Sequence, residues 1–137
     1  MKTLVPYLSF QGNCEQALNF YKECFGGEIT LSRYSESPMK VPEDFKSKIL
    51  HGRFKSEAIE FFASDRTSED KITKGNSLTL SIEFTNEAEQ EKVFKLLSAG
   101  GNITMPLQDM YWNAKFGMLT DKFGFDWMLD CEKPKKG

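Results

Sequence analysis

The chain has 137 residues, a common size for one domain and enough to bury a core without disulfides or a structural metal. Hydrophobic residues at 39% and charged residues at 28% indicate a soluble globular protein, not a disordered one. A formal net charge of -2 with interspersed signs argues against nucleic acid, and no apolar run reaches the ~20 residues of a membrane helix.

The chain opens on Met1-Lys2-Thr3-Leu4-Val5-Pro6, without the long apolar stretch of a secretory signal. Residues 4–10 read as a strand. Asn13 is the expected N-cap of a helix, with Gln16 in the capping-box position. Ala17, Phe20, Tyr21, Cys24 and Phe25 follow at helical spacing, and Gly26-Gly27 supplies a left-handed C-cap. Three further strands are expected over residues 28–34, 48–54 and 58–63, the last two joined by a turn at Lys55-Ser56-Glu57. The connection 35–46 contains Pro38 and Pro42, yet also Met39, Val41 and Phe45. Such apolar residues need cover, either from the loop's own domain or by folding over a cleft or a partner.

After a polar linker over 66–75, the same order returns. Residues 77–84 alternate, with Leu78, Leu80, Ile82 and Phe84 expected beneath a helix and Ser77, Thr79 and Ser81 on the opposite face. Asn86 is the second N-cap, with Glu89 in the capping-box position. Val93, Phe94, Leu96 and Leu97 form the expected buried stripe, and Gly100-Gly101 ends the helix. Strands are expected over 102–107, 114–120 and 125–131, with a turn at Asp121-Lys122-Phe123-Gly124. Lys133, Lys135 and Lys136 form a basic cluster read as a solvated tail.

This pattern describes an α+β single domain of two βαβββ modules, about 1–65 and 76–132, forming a curved mixed sheet around a cleft. Cys14, Cys24 and Cys131 are an odd set. Cys14 and Cys24 would lie roughly 15 Å apart on one helix, too far for a disulfide. Reduced thiols and a cytoplasmic location are therefore expected.

The segments Pro6-Tyr7-Leu8-Ser9-Phe10-x-Gly12-Asn13-Cys14-x-x-Ala17-Leu18-x-Phe20-Tyr21, Phe25-Gly26-Gly27, Leu50-His51-Gly52-Arg53-Phe54 and Ser64-Asp65 resemble PhnB-like proteins of the vicinal-oxygen-chelate (glyoxalase/bleomycin resistance/dioxygenase) superfamily. So do Trp112, Phe116-Gly117 and Asp121-x-Phe123-Gly124-x-x-Trp127. The resemblance implies a homodimer. It also implies four metal-ligand places, on the first, fourth, fifth and eighth strands, which fall on Pro6, Glu60, Ser77 and Met128. Only Glu60 is a competent hard ligand, so no metal and no cofactor are expected. No Walker A loop, G-x-G-x-x-G or G-x-S-x-G motif is present, and no glycine-rich nucleotide loop supports the name methyltransferase sometimes given to such sequences.

Glu60, Ser77, Thr79, Ser81, Trp112, Phe116, Met128 and His51 are the candidate ligand-binding residues. A poorly hydrated surround would raise the Glu60 pKa, whereas a neighbouring Arg or Lys would hold it ionised. His51, the single histidine, is either a general base or a structural side chain in the sheet or at a dimer seam. Trp112, Phe116, Tyr111 and Met110 suit a flat or apolar ligand, and equally a core or a dimer interface. The favoured expectation is a metal-free protein that binds a small organic ligand, sequestration being one version of that reading. The alternatives are a metal-dependent lyase, isomerase or dioxygenase, and a protein–protein assembly module with a vestigial cleft.

Overall fold

The computed structural model describes residues 1–67 and 71–134. It divides into two compact units, Met1–Thr73 and Lys74–Gly137, and the break falls inside the expected linker. Of the basic tail, Lys135 and Lys136 lie outside the described residues. Among the described residues, no helix is long and apolar enough to cross a membrane.

The first unit runs β1 (Tyr7–Phe10), α1 (Cys14–Phe25), β2 (Glu28–Arg33), β3 (Ile49–Lys55) and β4 (Glu60–Asp65). The second runs β5 (Leu80–Phe84), α2 (Glu87–Ser98), β6 (Asn102–Met110), β7 (Ala114–Thr120) and β8 (Asp126–Glu132). Each unit has its own four-stranded mixed sheet, ordered β1-β4-β3-β2 in one and β5-β8-β7-β6 in the other. In each, the first strand pairs parallel with the last and the other neighbours are antiparallel. The two βαβββ modules thus share one α+β topology.

One face of each sheet carries the core. In the first unit Leu8, Phe54, Phe61 and Ala63 are buried together with Ala17, Leu18 and Tyr21 of α1. Phe54 and Phe61 stack at 4.9 Å, and Tyr21 meets Phe61 edge-on at 5.5 Å. Gly52 lies across from Ala63, where a Cβ would come within 2.7 Å of Leu18 Cδ1. In the second unit Leu119, Trp127 and Leu129 are buried with Val93, Phe94 and Leu97 of α2. Gly117 makes the equivalent close approach, its Cβ position 2.9 Å from Phe94 Cε2.

Both helices begin where the capping residues place them, but by different chemistry. Asn86 Oδ1 accepts from Glu89 N at 2.9 Å, as a side-chain N-cap should. Asn13 makes no side-chain cap bond. Asp65, at the end of β4, takes that part: its Oδ1 accepts from Gly12 N at 2.8 Å and from Cys14 N at 3.0 Å.

Two expectations are corrected. β5 starts at Leu80, so Ser77 and Leu78 precede the strand and Leu78 is 76% exposed instead of lying beneath α2. Alternation alone does not make a strand where no partner continues: the pairing with β8 begins at Leu80↔Trp127. Leu96 borders the buried stripe of α2 at 36% exposure, and Gln90 occupies the buried position, its Nε2 donating to the carbonyls of Lys115 and Leu129. The connection after β2 closes on its own unit through the 3-10 turns Tyr34–Glu36 and Glu43–Phe45, with Ser35 N donating to Lys46 O and the Tyr34 and Phe45 rings 5.3 Å apart.

Candidate functional site

A sheet with one helix leaves its second face for other uses, and strand alternation decides which side chains stand there. In the first unit the register places Tyr7 beside Phe62, Phe62 beside Arg53, Arg53 beside Thr30, and Ser32 beside His51. All lie on the face away from α1. The His51 ring packs against Phe62 at 5.2 Å and Tyr7 at 6.1 Å. Tyr7 itself is 52% exposed, so the trio forms an accessible aromatic surface of mutually tilted rings.

Glu60 stands on the same face, diagonal to Arg53. Its Oε2 accepts from Arg53 Nη2 at 2.5 Å and from Nε at 3.2 Å. That guanidinium bond holds the Glu60 carboxyl below its usual range, against a smaller opposing effect of burial. The expectation of a raised pKa is therefore replaced by its alternative, a carboxylate paired with a nearby arginine. Both charges remain partly open to solvent, with side-chain exposures of 44% for Arg53 and 28% for Glu60.

In the second unit the face away from α2 carries Ser81 opposite Met128, Met128 opposite Met118, and Phe116 opposite both Asp130 and Gln108. Met105 lies beside Met118 on β6. Trp112, in the turn between β6 and β7, meets Phe116 at 5.6 Å and Tyr111 at 4.9 Å, both edge-on. Asn113 has φ 62° in that turn, a conformation asparagine tolerates better than most residues. Asp130 Oδ1 is buried and has no hydrogen-bond partner among the described residues. Asp126, on the same face, accepts from Thr120 Oγ1 at 2.6 Å.

Of the sequence candidates, the fold brings Glu60 and His51 onto one face in the first unit. It brings Ser81, Phe116 and Met128 onto one face in the second, with Trp112 against Phe116. Ser77 is exposed in a bend before β5, and Thr79 also precedes the strand, so neither extends the Ser81 row as a strand residue. Sequence reasoning missed Tyr7, Arg53, Phe62 and Met118, whereas alternation along the last strand already sets Asp130 on the face of Met128. Tyr7 and Phe62 were legible from period-2 alternation. Arg53 became relevant only through the register that sets it diagonal to Glu60.

The donor set at the superfamily's metal places does not fit a divalent ion. Pro6 offers no side-chain donor and its carbonyl accepts from Phe62 N at 2.9 Å. Ser77 lies outside the strand, Met128 offers only a thioether, and Glu60 is engaged by Arg53. The helix N-termini are no better suited to a phosphate-bearing cofactor. Asp65 fills that of α1, and the Asn86 side chain takes a backbone N–H at that of α2.

A family model described as 3-demethylubiquinone-9 3-methyltransferase matches residues 2–129. Protein YjdN of Escherichia coli K12 is 31% identical over 140 residues, covering 95% of each chain. Protein PA1353 of Pseudomonas aeruginosa has 36% identity and a TM-score of 0.87, with 98% of this chain and 100% of that one covered. A PhnB protein from Bacillus cereus has 32% identity and a TM-score of 0.80, covering 95% and 99%. A glyoxalase/bleomycin resistance protein/dioxygenase family enzyme from Burkholderia phytofirmans shares the fold at 13% identity, with a TM-score of 0.63 and coverage of 93% and 97%.

Proposed function

The chain belongs to the PhnB-like family of the vicinal-oxygen-chelate superfamily, described as 3-demethylubiquinone-9 3-methyltransferase, and from that premise we propose that it binds a small organic ligand on the helix-free faces of its sheets without a bound divalent ion. The observation that carries this proposal is the Arg53–Glu60 pair beside the ring of His51 and its aromatic neighbours. The one hard oxygen donor at the family's metal places is already satisfied. What surrounds it suits a ligand with a flat apolar part and a few polar atoms. In the second unit, Phe116, Met118 and Met128 offer adaptable apolar contact. The orphaned Asp130 oxygen would take a hydrogen bond from a donor group of the ligand.

A metabolite and drug panel screened by thermal shift tests this. A ligand that binds only the folded state raises the melting temperature, by about 2.7 kcal/mol of stabilisation at a hundred times its dissociation constant. The expected outcome is a hit whose affinity is the same with and without a chelator and is weakened by His51→Ala if the first unit's face holds it, or by Asp130→Asn if the second unit's does. Binding or turnover that appears only with added Mn²⁺, Ni²⁺, Zn²⁺ or Fe²⁺ would overturn it in favour of a lyase, isomerase or dioxygenase.

A homodimer is the second part of the proposal. Leu78 at 76% exposure, Tyr111 at 94% and Trp112 at 43% are large apolar side chains that a partner copy would cover. Light scattering of the full chain reads its mass directly, and a monomer at all concentrations would remove this part alone.

A further inference from the structure

The loop between β2 and β3 borders a pocket of about 450 Å³ that is open to solvent, within the size range of small-molecule sites and on no residue considered above as a ligand contact. We propose that it is a second binding site, for a small amphiphilic anion: a carboxylate or phosphate monoester carrying a short apolar tail.

The chemistry of the lining selects that class. Lys40 and Lys46 contribute ammonium groups, Ser35 a hydroxyl, and Met39 and Val41 apolar surface, beside Tyr34 and Ser37, whose hydroxyl proton is committed to Tyr34 O. No carboxylate, imidazole or thiolate lines it, so a metal cation has no ligands there and an organic cation would meet like charge. Lys40 takes part in no ion pair among the described residues. Lys46 pairs with Glu43 at 2.8 Å, but that carboxylate is 87% exposed and outside the lining. An exposed pair of this kind is weak, so an incoming anion can share the ammonium.

The walls are built before any ligand arrives. Ser35 N donates to Lys46 O at 3.0 Å and Tyr34 N to Lys48 O at 3.1 Å, which ties the two ends of the loop together. Ser37 Oγ donates to Tyr34 O at 2.9 Å and accepts from Met39 N at 3.2 Å, which sets the turn that carries Met39 and Lys40. Tyr34, which also lines the pocket, is anchored in the core, where its hydroxyl donates to the Asp65 carbonyl at 2.7 Å. A site organised in advance loses less entropy on binding than a loop that must close. Because the two lysines face solvent, the attraction is screened by salt.

The test uses the full chain labelled with ¹⁵N, with hexanoate and hexyl phosphate as probes and hexanol and hexylamine as controls. Saturable amide shifts confined to residues 34–46 are expected with an anion, at dissociation constants of about 0.1–10 mM. The tighter of the two anions identifies carboxylate or phosphate as the preferred head group. Lys40→Gln and Lys46→Gln should each weaken binding roughly 3- to 10-fold, as should a rise in salt from ~0.05 to ~0.5 M. Lys92→Gln, on exposed α2, should leave it unchanged. No shifts at 34–46 with either anion, or equal binding of hexanol or hexylamine, overturns the proposal. None of these readouts depends on the sheet-face site.

Discussion

Asp65 ties together more of the first unit than any residue singled out from the sequence. Its carboxylate accepts from Gly12 N and Cys14 N through Oδ1 and from Ile49 N through Oδ2 at 2.9 Å, and the residue is 1% exposed. One side chain therefore joins β4, the start of α1 and the start of β3. Asp65→Ala leaves three donors without that acceptor, each worth about 1–3 kcal/mol when buried, so a loss of roughly 3–5 kcal/mol is expected in urea unfolding. Asp65→Asn, which keeps one acceptor oxygen, should lose about half as much. A loss below about 1 kcal/mol for Asp65→Ala would show that water replaces the carboxylate. Beside it, burial pushes the Cys14 thiol up from an ordinary value near 9 to about 12, with the charges of Asp65 and Glu15 adding to the effect. Above pH 9 the unfolded chain releases this proton while the folded chain keeps it. Stability must then fall as pH rises towards about 12, by ~1.4 kcal/mol per pH unit from this group. Comparing wild type with Cys14→Ala isolates it: the variant should lack this part of the decline, and parallel pH profiles would contradict the assignment.

The two glycine pairs show how elements are joined. Each pair was legible as a helix end, and the first member of each has positive φ, 75° at Gly26 and 76° at Gly100, but Gly26, with ψ -164°, lies outside the left-handed helical region expected of a C-cap. The second member has a role the sequence does not reveal. A Cβ on Gly27 would lie 2.5 Å from Lys55 O, and one on Gly101 2.2 Å from Thr120 O. In both units the chain leaving the helix passes against the backbone where the third strand enters its hairpin turn. Gly26→Ala meets nothing within 4 Å and should cost only the strain of its backbone, about 1–3 kcal/mol. Gly101→Ala must displace backbone and should cost ~3 kcal/mol or more. Equal costs in urea unfolding would mean the backbone yields easily. The helix starts give the complementary contrast. Asn86→Ala removes a real cap and should cost about 1 kcal/mol, whereas Asn13→Ala should change stability by less than about 0.5 kcal/mol. Both asparagines look alike in sequence, because the carboxylate that replaces Asn13 is 52 residues further along the chain.

At the scale of the molecule, each unit repeats the same sheet order, with the third and fourth strands paired at its centre. Hydrogen exchange should therefore be slowest in β3, β4, β7 and β8, and faster in the edge strands β2 and β6, with the same ranking in both units. Protection confined to one unit would contradict the equivalence of the modules. The exposed ion pairs, Arg33–Glu15, Arg53–Glu60 and Lys133–Asp109 among them, contribute little to this order. The amino-acid sequence by itself determined the duplicated βαβββ plan, the helices and most strands, because period, caps and glycine pairs act between near neighbours. Tertiary structure alone decided where β5 begins, which carboxylate caps α1, and that Glu60 is spoken for by Arg53. Those depend on which strands lie side by side and in what register, and pairings between distant residues leave no mark in local pattern.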